Sequence, residues 1–270
     1  MSVPVRVAAP TVLVVALALA LVLALSACSA TRTTGEGGED TRPATADRPV
    51  AGKADAASGV VLRAQRTTPT DIDLRWQGGS SAASGHILEF ATEESGPYTV
   101  LRYLPPGATS YRHPDLIPNT TFFYRLRAFR GPASEPVGVS LPEGELTAAD
   151  EDSSHDWLPA RKDPKRTVPG RPLRSTGAGA PTGFKVAVKH ANGILFTWTD
   201  RASDEAGFLL EARTRTDPAY EPVVVLGPDV NSTGLITLPT EKEASYRVRA
   251  FTYGERSNVV RLTTGEAAGP

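Results

Sequence analysis

Residues 124–129 read YRLRAF and residues 246–251 read YRVRAF. The two runs stand 122 positions apart, and the same offset relates Trp76 to Trp198, Gly85 to Gly207 and Leu88-Glu89 to Leu210-Glu211. It also relates Tyr98 to Tyr220 and Leu116 to Leu238, and no gap is needed anywhere. Self-similarity at one fixed offset constrains the fold more than any composition does, because both copies must solve the same burial problem in the same way. The copies occupy residues 59–147 and 181–265.

Within each copy the hydrophobic period is two. DIDLRW (71–76) puts Ile72, Leu74 and Trp76 on one face, and HILEFA (86–91) does the same with His86, Leu88 and Phe90. FFYRLRAF (122–129) points Phe122, Tyr124, Leu126 and Ala128 inward and Arg125 and Arg127 outward. Strict alternation is the pattern of half-buried strands. Turn clusters such as GGSSAASG (78–85) and LPPGATS (104–110) separate them, and no helical period follows residue 30. The expected fold is all-β: two tandem antiparallel β-sandwiches. A single cysteine, Cys28, excludes an intramolecular disulfide, so each sandwich depends on its hydrophobic core. A net charge of −1 gives no general attraction to nucleic acid, and no nucleic-acid partner is expected.

The N-terminus has a different texture. One positive side chain, Arg6, precedes fifteen uncharged residues, TVLVVALALALVLAL (11–25), and then the small residues Ser26 and Ala27. This is the layout of a secretory signal peptide. The apolar core is short for a bilayer-spanning helix, which needs about 20 residues; an uncleaved anchor running from Val7 to Ala27 is the other reading. Leu25-Ser26-Ala27-Cys28 resembles the lipobox of bacterial lipoproteins. The resemblance implies cleavage between Ala27 and Cys28, a diacylglyceryl group on the Cys28 thiol, and residence at the extracytoplasmic face of the membrane. Two acyl chains hold where one would exchange, since each buried methylene contributes about 0.8 kcal/mol.

Residues 28–58 are polar, non-aromatic and aperiodic beyond the anchor, and are expected as a flexible tether. Residues 148–180 run from acidic to basic, carry several prolines and end in Gly and Ala; they are expected as a second flexible linker. Trp157 within it is placed either for docking on a neighbouring domain or for a partner. The linker's basic half, 161–174, is read as solvated or as resting on an anionic surface. Residues 266–270 form a short tail.

The two copies resemble fibronectin type III domains. The resemblance rests on Trp76 and Trp198 as core residues of the second strand, and on GHILEF (85–90) and GFLLEA (207–212) as the third. It rests also on YRLRA and YRVRA in the sixth strand, with Leu116 and Leu238 at the preceding corner. Tyr124 and Tyr246 are expected in the core. The family's tyrosine corner falls at Phe122 and Ala244, which have no hydroxyl, so that corner is expected to be absent from both copies.

No catalytic constellation is present in the sequence, and no metal or other cofactor is expected. His86, His113, His155 and His190 are not paired at ligand spacing. DRASDEAG (200–207) is acidic, but its carboxylates do not fall at EF-hand spacing. Arg125, Arg127, Arg247 and Arg249 read as a solvated sheet face paired with Glu89 and Glu211, or as a basic stripe for anionic wall polymers. The chain therefore reads as a non-enzymatic, lipid-anchored protein for binding or spacing, with an envelope protein or cell-wall polysaccharide as partner. An accessory role in polysaccharide turnover and a passive spacer are the alternatives.

Overall fold

The computed structural model describes residues 5–6, 50–51, 59–150, 154–176 and 178–266. The expected signal peptide with Ala27 and Cys28, and the expected tether, lie outside the described residues apart from Val5–Arg6 and Val50–Ala51.

The chain is all-β and builds two antiparallel sandwiches. In the first, β3 (Val60–Arg66), β4 (Ile72–Gly78) and β7 (Ser110–His113) form one sheet, edged by β2 (Val50–Ala51). Facing it are β5 (Gly85–Ala91), β6 (Thr99–Leu104) and β8 (Thr121–Arg130). In the second, β11 (Thr182–His190), β12 (Gly193–Ala202) and β15 (Ser232–Ile236) face β13 (Gly207–Thr214), β14 (Glu221–Leu226) and β16 (Glu243–Arg256). The pair β1 (Val5–Arg6) lies along β14.

The alternation in β4 is borne out: Ile72, Leu74 and Trp76 are buried and the residues between them are not. Each tryptophan anchors one core. Trp76 packs with Leu62, Leu88, Tyr124 and Leu126, and Trp198 with Phe196, Phe208, Tyr246 and Val248.

The last strand of each repeat belongs to the other sandwich. β9 (Val137–Ser140) ends the first repeat but pairs with β16, Val137 opposite Tyr246. β17 (Val260–Thr263) ends the second repeat but pairs with β8, Val260 opposite Tyr124. The exchange is reciprocal, because Tyr124 and Tyr246 are the same position in the two copies. The ranges 59–147 and 181–265 thus mark sequence repeats, while each sandwich draws strands from both.

The exchange follows from what happens after the sixth strands. β8 and β16 do not turn back at once but run past each other antiparallel, with Thr252 opposite Arg130 and Tyr253 opposite Phe129. This merges the two inner sheets into one nine-stranded sheet. Gly131 sits at the crossing with φ of +151°, and a Cβ there would lie 1.9 Å from the Ala250 carbonyl oxygen. Only glycine fits so close an approach. Beyond the crossing, two serines do equivalent work. The Ser134 amide donates to the Val248 carbonyl and its Oγ accepts from the Val248 amide. Ser257 does the same with Leu126. Asn258 then closes the first sandwich: its Oδ1 accepts from the Leu62 amide at 2.8 Å and its Nδ2 donates to the Leu62 carbonyl at 3.0 Å.

A third apolar cluster seals the two repeats together. It consists of Ile87, Tyr103, Phe129, Leu209 and Phe251, with Ala206 and Val225 against it. Ile87 and Leu209, Tyr103 and Val225, and Phe129 and Phe251 are each related by the repeat offset. β5 is for this reason buried along both faces instead of alternating. Outward, Ile87 meets the other repeat and Glu89 is covered by Arg125.

The segment expected as a flexible linker over 148–180 is tied to the second sandwich in its described part. β10 (Thr167–Arg171) pairs parallel with β12, and α1 (Leu173–Thr176) brings Leu173 into the core. Arg161 exchanges backbone hydrogen bonds with Asn231 and Ser232. Trp157 stacks on His155 and meets His190 edge-on, with ring centroids 5.3 and 5.6 Å away, so it docks within the chain. Its polar sequence hid this attachment, because the contacts are made largely by backbone.

Asn258→Ala leaves the Leu62 amide and carbonyl without buried partners, which costs about 1–3 kcal/mol. Although residue 258 lies in the second repeat, amide hydrogen exchange should rise at residues 60–64 and 124–126 of the first. Loss of protection confined to residues 181–256 would contradict the exchange.

Candidate functional site

The structure places the expected core residues as follows. Trp76 and Trp198 are buried, at 5% and 0% exposure, and Leu116, Tyr124 and Tyr246 are buried with them. Leu238 is only half-buried; its amide donates to Glu241 Oε2 at the start of a short 3-10 turn, which lifts it off the core. Cys28 and Ala27 lie outside the described residues.

The corner position itself holds Phe122 and Ala244, but in the second copy a neighbouring tyrosine makes a comparable bond. The Tyr246 hydroxyl donates to the Glu241 carbonyl at 3.2 Å, a bond back to the backbone five residues upstream. It comes from a side chain two positions later than the family's usual one. In the first copy the Tyr124 hydroxyl shares a hydrogen bond with His113 Nδ1 at 3.0 Å. His113 also meets Phe90 and Phe122 edge-on, at 5.4 and 6.2 Å between centroids. Burial pushes its pKa down to about 4.

The sheet-face arginines find the partners that the sequence suggested, but not in solvent. Arg125 Nε pairs with Glu89 at 2.5 Å, and Arg247 Nε with Glu211 at 2.5 Å. Arg249 also binds Glu211, at 2.7 Å, and donates to the Gly131 carbonyl at 2.6 Å. Arg125 and Arg247 lie flat over Tyr98 and Tyr220, and Arg127 over Tyr253 of the other repeat, at 3.8 to 3.9 Å. Arg102 pairs across the repeats with Glu221 at 2.7 Å. Glu211 is 2% exposed and Arg249 is 9% exposed. These cations are spent on internal partners, so they form no displayed basic stripe.

One titratable group lies apart from this network. Asp200, near the end of β12, is 1% exposed. Its Oδ1 accepts from the Ala202 amide at 3.0 Å, and its Oδ2 is buried with no hydrogen-bond partner. Burial first, then the neighbouring carboxylates of Glu205 and Asp229, raise its pKa to about 6. Asp229 stands in the turn after β14, in the left-handed region at φ of +60°. The acidic run 200–207 announced Asp200 and Glu205, whereas nothing in the sequence announced Asp229, since the fold alone brings it there.

A cleft of about 740 Å³ opens at one end of the first sandwich, lined by Arg66, Thr67, Pro69, Asn119, Thr264 and Glu266 among others. It offers hydroxyls, one guanidinium and one carboxylate. Among the described residues no nucleophile in it is hydrogen-bonded to a base, the minimum that nucleophilic catalysis needs.

No family model matches the chain, and no curated protein matches it. Among solved structures it is similar to a two-domain fibronectin type III segment of chicken tenascin. That similarity covers 74% of this chain and 97% of that one, with 17% identity and a TM-score of 0.24. It is similar also to the FN1–FN3 domains of chicken CNTN1, over 76% of this chain and 97% of that one, with 15% identity and a TM-score of 0.23. A computationally redesigned β-sandwich protein is 26% identical over 25% of this chain and 71% of its own, with a TM-score of 0.23.

The buried histidine sets a pH dependence. His113 stays neutral in the folded protein down to about pH 4, while an unfolded histidine protonates near 6.5. Between these values only the unfolded chain gains a proton, so stability falls as pH falls from 6.5 to 4, by roughly 3 kcal/mol at the full shift. Asp200 acts in the opposite sense: with its pKa raised to about 6, it lowers stability as pH rises from about 4 to 6. Urea unfolding midpoints at pH 7 and pH 4.5 separate the two. His113→Gln should lose less stability on acidification than the unaltered chain, and equal losses would contradict a neutral buried His113.

Proposed function

We propose that this chain is a lipid-anchored extracytoplasmic module that holds a rigid pair of β-sandwiches clear of a membrane surface, for binding or spacing envelope components. The observation that carries the reading is the reciprocal exchange of β9 and β17. Two sandwiches that each own a strand of the other, and share an apolar seam, move as one body. Such a body suits holding a fixed distance or presenting loops in a fixed relation. The lipobox-like LSAC at 25–28 supplies the attachment; the expected tether over 28–58 is shortened by the pairing of Val50–Ala51 with β3, and the stretch from Cys28 to that strand supplies a reach of roughly 25 Å.

Binding through protein contacts is favoured over recognition of sugars by stacking. Carbohydrate platforms use exposed aromatic faces. Among the described residues the large hydrophobic side chains more than a third exposed are Val100, Ile117, Val188 and Tyr253, and the one aromatic of these is covered by Arg127.

Palmitate labelling of cells making the full chain tests the anchor. The unaltered protein should take up label and partition into detergent, and Cys28→Ala should do neither. Cys28→Ala protein that still enters the detergent phase would support a plain apolar anchor instead. Capture of envelope proteins by the full chain, with no retention on wall polysaccharide, is the expected partner profile.

A further inference from the structure

We infer that Asp200, Glu205 and Asp229 form a binding site for a divalent cation with calcium's preference for oxygen ligands. The carboxylate oxygens that the three residues offer lie within 4.8 Å of one another. Calcium binds oxygen at 2.3–2.6 Å, so ligands on opposite sides of the ion stand about 4.6–5.2 Å apart. No two of these oxygens are therefore too far apart to share one ion. The elements that deliver them are fixed: Asp200 lies near the end of β12, Glu205 in the turn before β13, and Asp229 in the turn after β14.

The independent observation is Asp200 Oδ2. A carboxylate oxygen at 1% residue exposure, with no donor in reach, is an uncompensated buried acceptor. Burying such a group is unfavourable unless something positive meets it. The side chains facing it are two more carboxylates. Glu205 Oε1 accepts from the Asp229 amide at 3.0 Å, which sets its orientation. Asp229 Oδ2 pairs with Lys162 at 2.9 Å, but both side chains are more than half exposed, and such a pair contributes little. One surface ammonium does not neutralise three carboxylates. The neighbouring Asp204 is already committed, accepting from the Leu173 and Arg174 amides. A bound cation would hold together the turns on either side of β13 and β14, and Lys162 ties the docked segment 154–176 to the same place.

The site goes beyond the anchoring and spacing reading and stands whether or not that reading holds. The test uses the full chain in detergent micelles, stripped with chelator and titrated with calcium chloride. Heat released on titration, and a melting temperature that climbs with calcium, are the expected results, with half-saturation in the roughly 0.1–1 mM range of extracellular modules. Asp229→Asn, at an exposed position, should fold normally and bind about 10-fold or more weakly. Asp200→Asn should abolish the calcium response without lowering the calcium-free melting temperature, since it removes the unpaired charge. The inference is overturned if calcium at about 10 mM, well above that range, produces neither heat nor a shift. It is overturned equally if both variants keep the full response, or if magnesium reproduces it at the same concentration.

Discussion

The structure depends on one crossing, where the sixth strands of the two repeats run antiparallel past each other at Arg130–Thr252 and Phe129–Tyr253. Ordinarily a sandwich's sixth and seventh strands form a hairpin, and the sheet ends there. Here β16 extends for 14 residues and uses its first part for its own sandwich and its last part for the crossing. Everything beyond the crossing is committed to the other repeat. Gly131 lets the backbones approach, the two serines catch the chains as they leave, and β9 and β17 complete foreign sheets. Remove the crossing and both cores lose an edge strand together.

That coupling changes the energetics of the chain. A sandwich core built from two sequence segments cannot be completed until both repeats are in place. Leu62 is joined to Asn258 across 196 residues. Contacts of such separation must be closed at an entropic cost before they return any stability, which slows folding and makes it cooperative. The same coupling explains why a chain without disulfides holds two small sandwiches side by side. The seam of Ile87, Phe129, Leu209 and Phe251 adds apolar burial that neither unit would have alone.

The strands and cores were legible because period-two alternation and tryptophan placement are local signals. Ile72, Leu74 and Trp76 had to face one way whatever the rest of the chain did. The exchange was not legible, because VGVS and VRLT are equally good final strands for either sandwich, and pairing between identical folds leaves no trace in the local pattern. One hint was present. Ile87, Phe129, Leu209 and Phe251 sit on the nominally outward face at repeated positions, where an isolated domain would carry polar residues. Apolar residues on the wrong face, repeated in both copies, signal a surface that meets its own counterpart.

The buried charges separate in the same way. Glu89 and Glu211 were identifiable as partners of the arginines, because both lie on adjacent strands and the register follows from the fold. The arginines' solvation was misjudged, because tyrosines of the same repeat cover Arg125 and Arg247, while Arg127 and Arg249 meet Tyr253 and Gly131 of the other. Their fate also bears on function. A cation that is paired with a buried carboxylate and stacked on a tyrosine gives rigidity rather than reach. Asp200 is the exception that this logic isolates. In a molecule that meets the buried carboxylates of Glu89 and Glu211 with guanidinium groups, the Asp200 Oδ2 oxygen stays unmet beside two acidic neighbours. A site built that way is arranged for a positive charge that the chain does not itself supply.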